Sequence, residues 1–164
     1  MFCRKNWIAV TVLILGLAML VPVAQAQRQE WEGVGCYAIT YNVAHFSPEV
    51  AIMSYDGKGI LRSTHENKLF DNWTIHFVAV TKMEGGKWSW NGFSKMMSPD
   101  GEFIISEYYG DFASGGTSKV LYGTGKWKGV KGESNAKIIT TGKSIVQGTS
   151  QICEKLVGWI ELPK

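Results

Sequence analysis

Proline is scarce in this sequence, four in 164 residues, and histidine scarcer still at three. His45, His65 and His76 are scattered, with no two at the spacing of shared metal ligands, so no metal is expected. No segment repeats apolar residues at the helical period, and no Pro- or Ser-rich linker divides the chain. Phosphate-binding loops are missing too. In "YGTGKWKGVKGES" (122–134) a P-loop would need glycine at Val120 and serine or threonine at Trp127. The dinucleotide pattern fails in the same stretch at Lys128, and no nucleotide or other cofactor is expected. No Ser-His-Asp or Cys-His arrangement stands out. A strong charge is also absent. The formal +3 includes Arg4 and Lys5, and the chain beyond residue 26 holds fifteen basic against fourteen acidic side chains. Nothing in that balance favours nucleic acid as a partner.

The amino terminus reads as an export signal. Arg4 and Lys5 precede an almost wholly apolar run over residues 7–23, and Ala24-Gln25-Ala26 offers a small-x-small cleavage site. The run is short against the roughly 20 residues of a bilayer span, and Pro22 interrupts its end. Residues 1–26 are therefore expected to be removed, leaving one domain over 27–164 with no transmembrane anchor, in the periplasm or secreted. Two cysteines remain, Cys36 and Cys153. An even pair in an oxidising compartment is a disulfide candidate, the alternative being two separate buried thiols. A bridge requires the two ends of the domain to meet, with Cα atoms about 4.4–6.8 Å apart.

What the chain does contain is period-two alternation. "WEGVGCYAITY" (31–41) aligns Trp31, Tyr37, Ile39 and Tyr41, and "NWTIHFVAV" (72–80) aligns Trp73, Ile75, Phe77 and Ala79. "KWSWNGFSKMM" (87–97) puts Trp88, Trp90 and Met96 in phase, and "QICEKLVGWIEL" (151–162) does so for Ile152, Leu156, Ile160 and Leu162. "EFIISEYYG" (102–110) is read with Phe103, Ile105 and Tyr109 on its inner face. Hairpin turns are expected at "EGGK" (84–87) and "SPDG" (98–101), with similar signals at "DGKG" (56–59) and "TTGKS" (140–144). Residues 45–49 are a loop or a helical turn. Many short strands joined by tight turns imply an all-β antiparallel sandwich or barrel. The glycines of 122–134 lie between two strand-like runs and supply a sharp corner, into which Trp127 folds as a plug.

The stretch "GTGKWKGVKGES" (123–134) resembles the glycine-rich signature of the allene oxide cyclase and dirigent barrel superfamily, with Tyr122 where that signature has its first glycine. "SPDGEFIISEYYGD" (98–111) and the closing "GWIELPK" (158–164) are similar to the mostly uncharacterised bacterial exported branch. The resemblance implies a closed antiparallel barrel of about eight strands with an apolar interior. It transfers no active-site residue, since no local motif matches those of the plant cyclase or of the proteins that steer radical coupling.

Candidate site residues follow from the alternation. Glu107 keeps phase with Phe103, Ile105 and Tyr109, and Glu154 with Ile152, Leu156 and Ile160. Carboxylates on an inward face must be paired, hydrated or held neutral. Either becomes a polar anchor for a ligand, and Glu107 is the candidate general acid; a structural ion pair or a bulge is the alternative. Trp73, Trp88, Trp90, Phe103 and Tyr109 would supply an aromatic ligand surface, or else fill the core. The function expected is binding of a small apolar or amphipathic molecule. A cofactor-free cyclase or isomerase and a non-catalytic structural barrel are the alternatives, and a homo-oligomer stays open.

Overall fold

Alternation of large inward side chains with polar or smaller outward ones closes this sheet on itself. The computed structural model describes residues 27–162, so the expected signal at 1–26 lies outside the described residues. Eight strands run in order: β1 (Arg28–Ser47), β2 (Val50–Ser63), β3 (Trp73–Glu84), β4 (Lys87–Met97), β5 (Phe103–Asp111), β6 (Gly115–Gly123), β7 (Lys131–Gly142) and β8 (Thr149–Glu161). Each pairs antiparallel with its neighbour in sequence. β8 then returns to β1, in register from Arg28–Glu161 to Thr40–Thr149, and shuts the barrel. Every strand thus has a neighbour on both sides, although β6 and β7 share only Gly116–Lys119 against Glu133–Ala136.

The seam carries a covalent bond. Cys36 and Cys153 are direct cross-strand partners of β1 and β8, joined as a disulfide with Cα atoms 4.1 Å apart. The bond sits on the outer wall, between side chains that point away from the interior.

One end of the barrel is plugged. Trp31, Leu61, Phe70, Trp73, Ile104, Trp127 and Ile160 are all buried there in one cluster. Trp127 enters from the corner expected at 122–134, where a 3-10 turn (Gly125–Trp127) links β6 to β7. Gly125 and Gly129 hold φ of +54° and +83°, which a Cβ would resist. The indole packs against Trp73 (5.1 Å between ring centroids) and stacks on Phe70 (5.9 Å). Lys126, meanwhile, points to water and bonds Asp100 at 2.7 Å, tying the corner to the β4–β5 turn.

Phe70 comes from the β2–β3 loop, a segment with no alternation to announce it. The loop is pinned by Asp71, which accepts from Arg62 Nε at 2.9 Å and from the Ser63 amide at 3.1 Å. Asn67 Nδ2 adds a bond to the Glu30 carbonyl at 2.8 Å. So anchored, the loop lays Phe70 across the barrel end at 2% exposure, edge-on to Trp31 and Trp73.

The turns at 84–87 and 98–101 are hairpins as expected, joining β3 to β4 and β4 to β5. Two other readings need correction. Residues 56–59 are not a turn but the middle of β2. Their glycines make room: a Cβ on Gly57 would overlap the Phe77 ring, and one on Gly59 would strike the Cys36 carbonyl and the Tyr37 ring. Residues 45–47 continue β1, so the turn before β2 is shorter than the expected loop. The segment 140–144 does break a strand, ending β7 before a loop that leads to Thr149.

Candidate functional site

The large residues that plug one end leave the middle of the barrel unfilled. A cavity of ≈ 440 Å³ occupies it, open at the end formed by the β1–β2, β3–β4, β5–β6 and β7–β8 connections. Phe70, Ile75 and Met96 line it toward the plug, and Tyr41, Met53, Trp90 and Phe112 toward the mouth. The barrel interior stays open here because small residues alternate with large ones. Ser94 (β4), Ser106 (β5) and Ala136 (β7) all contribute to the lining, where longer side chains would meet across the axis.

Four rings gather around the interior. Phe77 lies edge-to-face with Tyr37 at 5.0 Å, Tyr108 at 5.9 Å and Tyr55 at 6.0 Å between centroids. Tyr37 comes from β1, Tyr55 from β2, Phe77 from β3 and Tyr108 from β5. Burial pushes the Tyr37, Tyr55 and Tyr108 phenols up from their usual range, and the Glu154 charge adds to each. All three therefore remain protonated donors. The Tyr108 hydroxyl is buried beside the Tyr55 hydroxyl and makes no well-aligned hydrogen bond.

Glu154 lines the same cavity from β8. Loss of water raises its carboxyl to about 7, well above the ordinary carboxylate range. Among the described residues no hydrogen bond or ion pair satisfies it. A neutral carboxyl both donates and accepts, so the cavity offers an acid, the buried phenols and the hydroxyls of Thr81, Ser94 and Ser106 within a mainly apolar lining.

The sequence-expected site residues divide. Glu154 faces inward as expected. Trp90 lines the cavity and packs edge-on to Phe112 at 5.2 Å. Trp88 is half-buried at the mouth, 6.1 Å from the same ring. Trp73 is inward but belongs to the plug beneath the cavity, not to its lining. The β5 residues are reversed. Ile104, Ser106 and Tyr108 are the inward set, which turns Phe103, Glu107 and Tyr109 to the outer wall. Phe103 takes the Lys95 ammonium over its ring at 4.3 Å, and Tyr109 is 48% exposed. Glu107 stands opposite Phe93 and Lys119 on the neighbouring strands, so it cannot act as an acid inside the barrel.

A readable signal for the β5 phase existed. Residues 98–101 form the turn, which makes Met96 and Ile104 direct partners. Partners share a face, and Met96 belongs with Trp88 and Trp90. Pairing across the hairpin thus outranks the hydrophobicity of β5 taken alone. For Tyr55 and Phe70 no such local signal is present.

Two solved structures share this architecture. The pterocarpan synthase dirigent protein PsPTS1 superposes with a TM-score of 0.51 at 11% identity, covering 84% of this chain and 97% of that one. The pterocarpan synthase dirigent protein GePTS1 gives 0.54 at 8% identity, covering 86% and 95%. The chain has the fold of a dirigent barrel. At such identity the likeness extends to fold and not to chemistry. No protein-family model matches the sequence, and no curated protein does. Among the described residues, no group of three His, Cys, Asp or Glu is placed to hold a metal ion.

Proposed function

We propose that this protein is an exported binding barrel, of the bacterial branch that its glycine corner resembles, and that it holds one small apolar or amphipathic molecule in its cavity. The carrying observation is the cavity itself: ≈ 440 Å³, open at one end, apolar in most of its lining, with an unpartnered carboxyl, Glu154, among buried phenols. That volume lies within the range of about 300–1,000 Å³ typical of ligand pockets. Trp90, Tyr55, Phe77 and Tyr108 provide contact, and Glu154 orients the ligand. The signal-like residues 1–26 and the Cys36–Cys153 bond support passage to an oxidising compartment. Among the described residues, no helix is long and apolar enough to cross a membrane. An apolar patch on the outer wall, Val78, Val80, Phe93 and Tyr109, supports self-association.

Binding of N-phenylnaphthylamine, whose fluorescence rises in apolar surroundings, tests the reading. The wild type should bind it, and Ala136→Trp, which fills the cavity, should not. Equal signals from the two proteins would refute it.

One observation favours a second reading, a cofactor-free isomerase or cyclase. A cavity carboxyl raised to about 7 by loss of water is suited to proton transfer, and Glu154 is the carboxyl so placed, Glu107 standing on the outer wall. If a substrate is found, Glu154→Gln should abolish turnover while weakening binding only modestly.

A further inference from the structure

We propose that the cavity selects a positively charged amphiphile, with an ammonium head set against the Glu154 carboxylate between aromatic rings and a hydrocarbon tail in the apolar remainder. This rests on the binding function proposed above and narrows its ligand class.

Charge in the lining is of one sign. Glu154 is the charged residue whose side chain faces the cavity; Glu133 borders it but is exposed on the outer face of β7 opposite Lys119, and none of the described lining residues is lysine, arginine or histidine. A fatty carboxylate or a phosphate would enter without a counter-ion and meet a carboxyl group. Once that carboxyl ionises, like charges brought together out of water repel strongly, which disfavours anionic lipids at alkaline pH.

Glu154 by contrast lacks a partner. It is withdrawn from water, and the described residues supply neither a cation nor a hydrogen bond to it. Its ionised form is therefore costly until something positive arrives. Tyr37, Tyr55 and Tyr108 surround it closely enough for its charge to act on each phenol, and Phe77 touches all three rings edge-on. Aromatic rings beside a carboxylate form the environment that stabilises an alkylammonium, through ring quadrupole and charge together. A neutral alcohol would gain a hydrogen bond only.

Proton linkage gives the proposal its signature. The groups that face Glu154 are Tyr37 from β1, Tyr55 from β2 and Tyr108 from β5, with Gly35 and Ile138 as its backbone partners. The phenols stay protonated throughout the neutral range, so Glu154 is the group that titrates there. A ligand with permanent positive charge should bind more tightly as pH rises through neutrality and the carboxyl ionises.

Octyltrimethylammonium, 1-octanol and octanoate share a tail and differ in charge. Their affinities for the purified protein can be measured by tryptophan fluorescence at mildly acidic and mildly alkaline pH. The ammonium should bind about tenfold or more tighter than octanol at alkaline pH, with a smaller margin at acidic pH. Glu154→Gln should remove that margin, bringing the ammonium to within a few-fold of octanol at both pH values. Equal affinity for ammonium and octanol at both pH values, or preference for octanoate, would overturn charge selection while leaving hydrophobic binding intact. Binding of none of the three would refute the cavity function and this proposal together. Should Glu154→Gln fail to fold, the pH dependence in the wild type decides.

Discussion

Cys36 and Cys153 face each other across the seam where the first strand meets the last, their Cα atoms 4.1 Å apart and their sulfurs bonded. The next residue along β8 points the other way. Glu154 thus enters the cavity directly behind a covalently fixed seam, which limits how far its backbone can move to find water. The disulfide and the acid lie on opposite faces of one strand, one holding the barrel shut and the other exposed to whatever it contains.

Removing that bond should loosen the closed state without abolishing it. The bridge spans 117 residues of sequence, so it constrains the unfolded chain strongly. Cys36→Ser with Cys153→Ser should cost about 2–4 kcal/mol in urea unfolding, with the β-sheet circular dichroism unchanged. Equal midpoints for the two proteins would contradict this.

Stability should fall as pH rises through neutrality. The Glu154 carboxyl is raised to about 7 in the folded protein from 4.5 when solvated. Between those values the folded state binds the extra proton, so the stabilisation is complete below 4.5 and is lost as pH passes about 7. The loss should be on the order of 3 kcal/mol. Chemical denaturation at acid and alkaline pH checks it, and Glu154→Gln should flatten the profile across that interval.

Phe70 is predicted to be the most costly loop residue. Phe70→Ala removes a ring packed on Trp31, Trp73 and Trp127 and should destabilise by about 3–5 kcal/mol. It should also open the plugged end, so that hydrogen exchange at 64–72 accelerates more than in β4 or β8.

Gly57 separates a glycine kept for space from one kept for a turn. Gly57→Val should destabilise by about 3 kcal/mol or more, because the new side chain meets the Phe77 ring in the barrel interior. Gly57 has no left-handed φ, and valine suits extended backbone, so a mild effect in thermal unfolding would mean the interior is looser than described.

Glu107→Gln is the control for the β5 register. Its outward position predicts unchanged N-phenylnaphthylamine binding and a stability within about 0.5 kcal/mol of wild type. A loss of binding would place Glu107 back inside.

Much of the architecture was legible before any coordinates. β1, β3, β4 and β8 carry aromatic and branched residues on alternate positions, and all four inward sets were readable. The hairpins at 84–87 and 98–101 and the Trp127 plug follow from local chemistry as well. β5 misled because its outer face is as apolar as its inner one: Phe103, Ile105 and Tyr109 against Ile104, Ser106 and Tyr108. Exposed apolar groups such as Val78, Val80 and Phe93 continue that outer surface onto the neighbouring strands. Hydrophobicity alone therefore cannot assign its faces.

By itself, the amino-acid order determined strand character, the hairpins at 84–87 and 98–101, the corner and the pairing candidates Cys36 and Cys153, because pleat and turn geometry act within a few residues. Tertiary structure alone decided that the glycines of 56–59 make room rather than turn and that Phe70 caps the barrel, while the inner face of β5 follows from its pairing across the 98–101 hairpin and not from its own hydrophobicity. It also placed Glu154, and not Glu107, on the cavity side of the wall. The reason is closure: when eight strands meet edge to edge, inside and outside are set by the register of each pair, and that register depends on residues far apart in the chain.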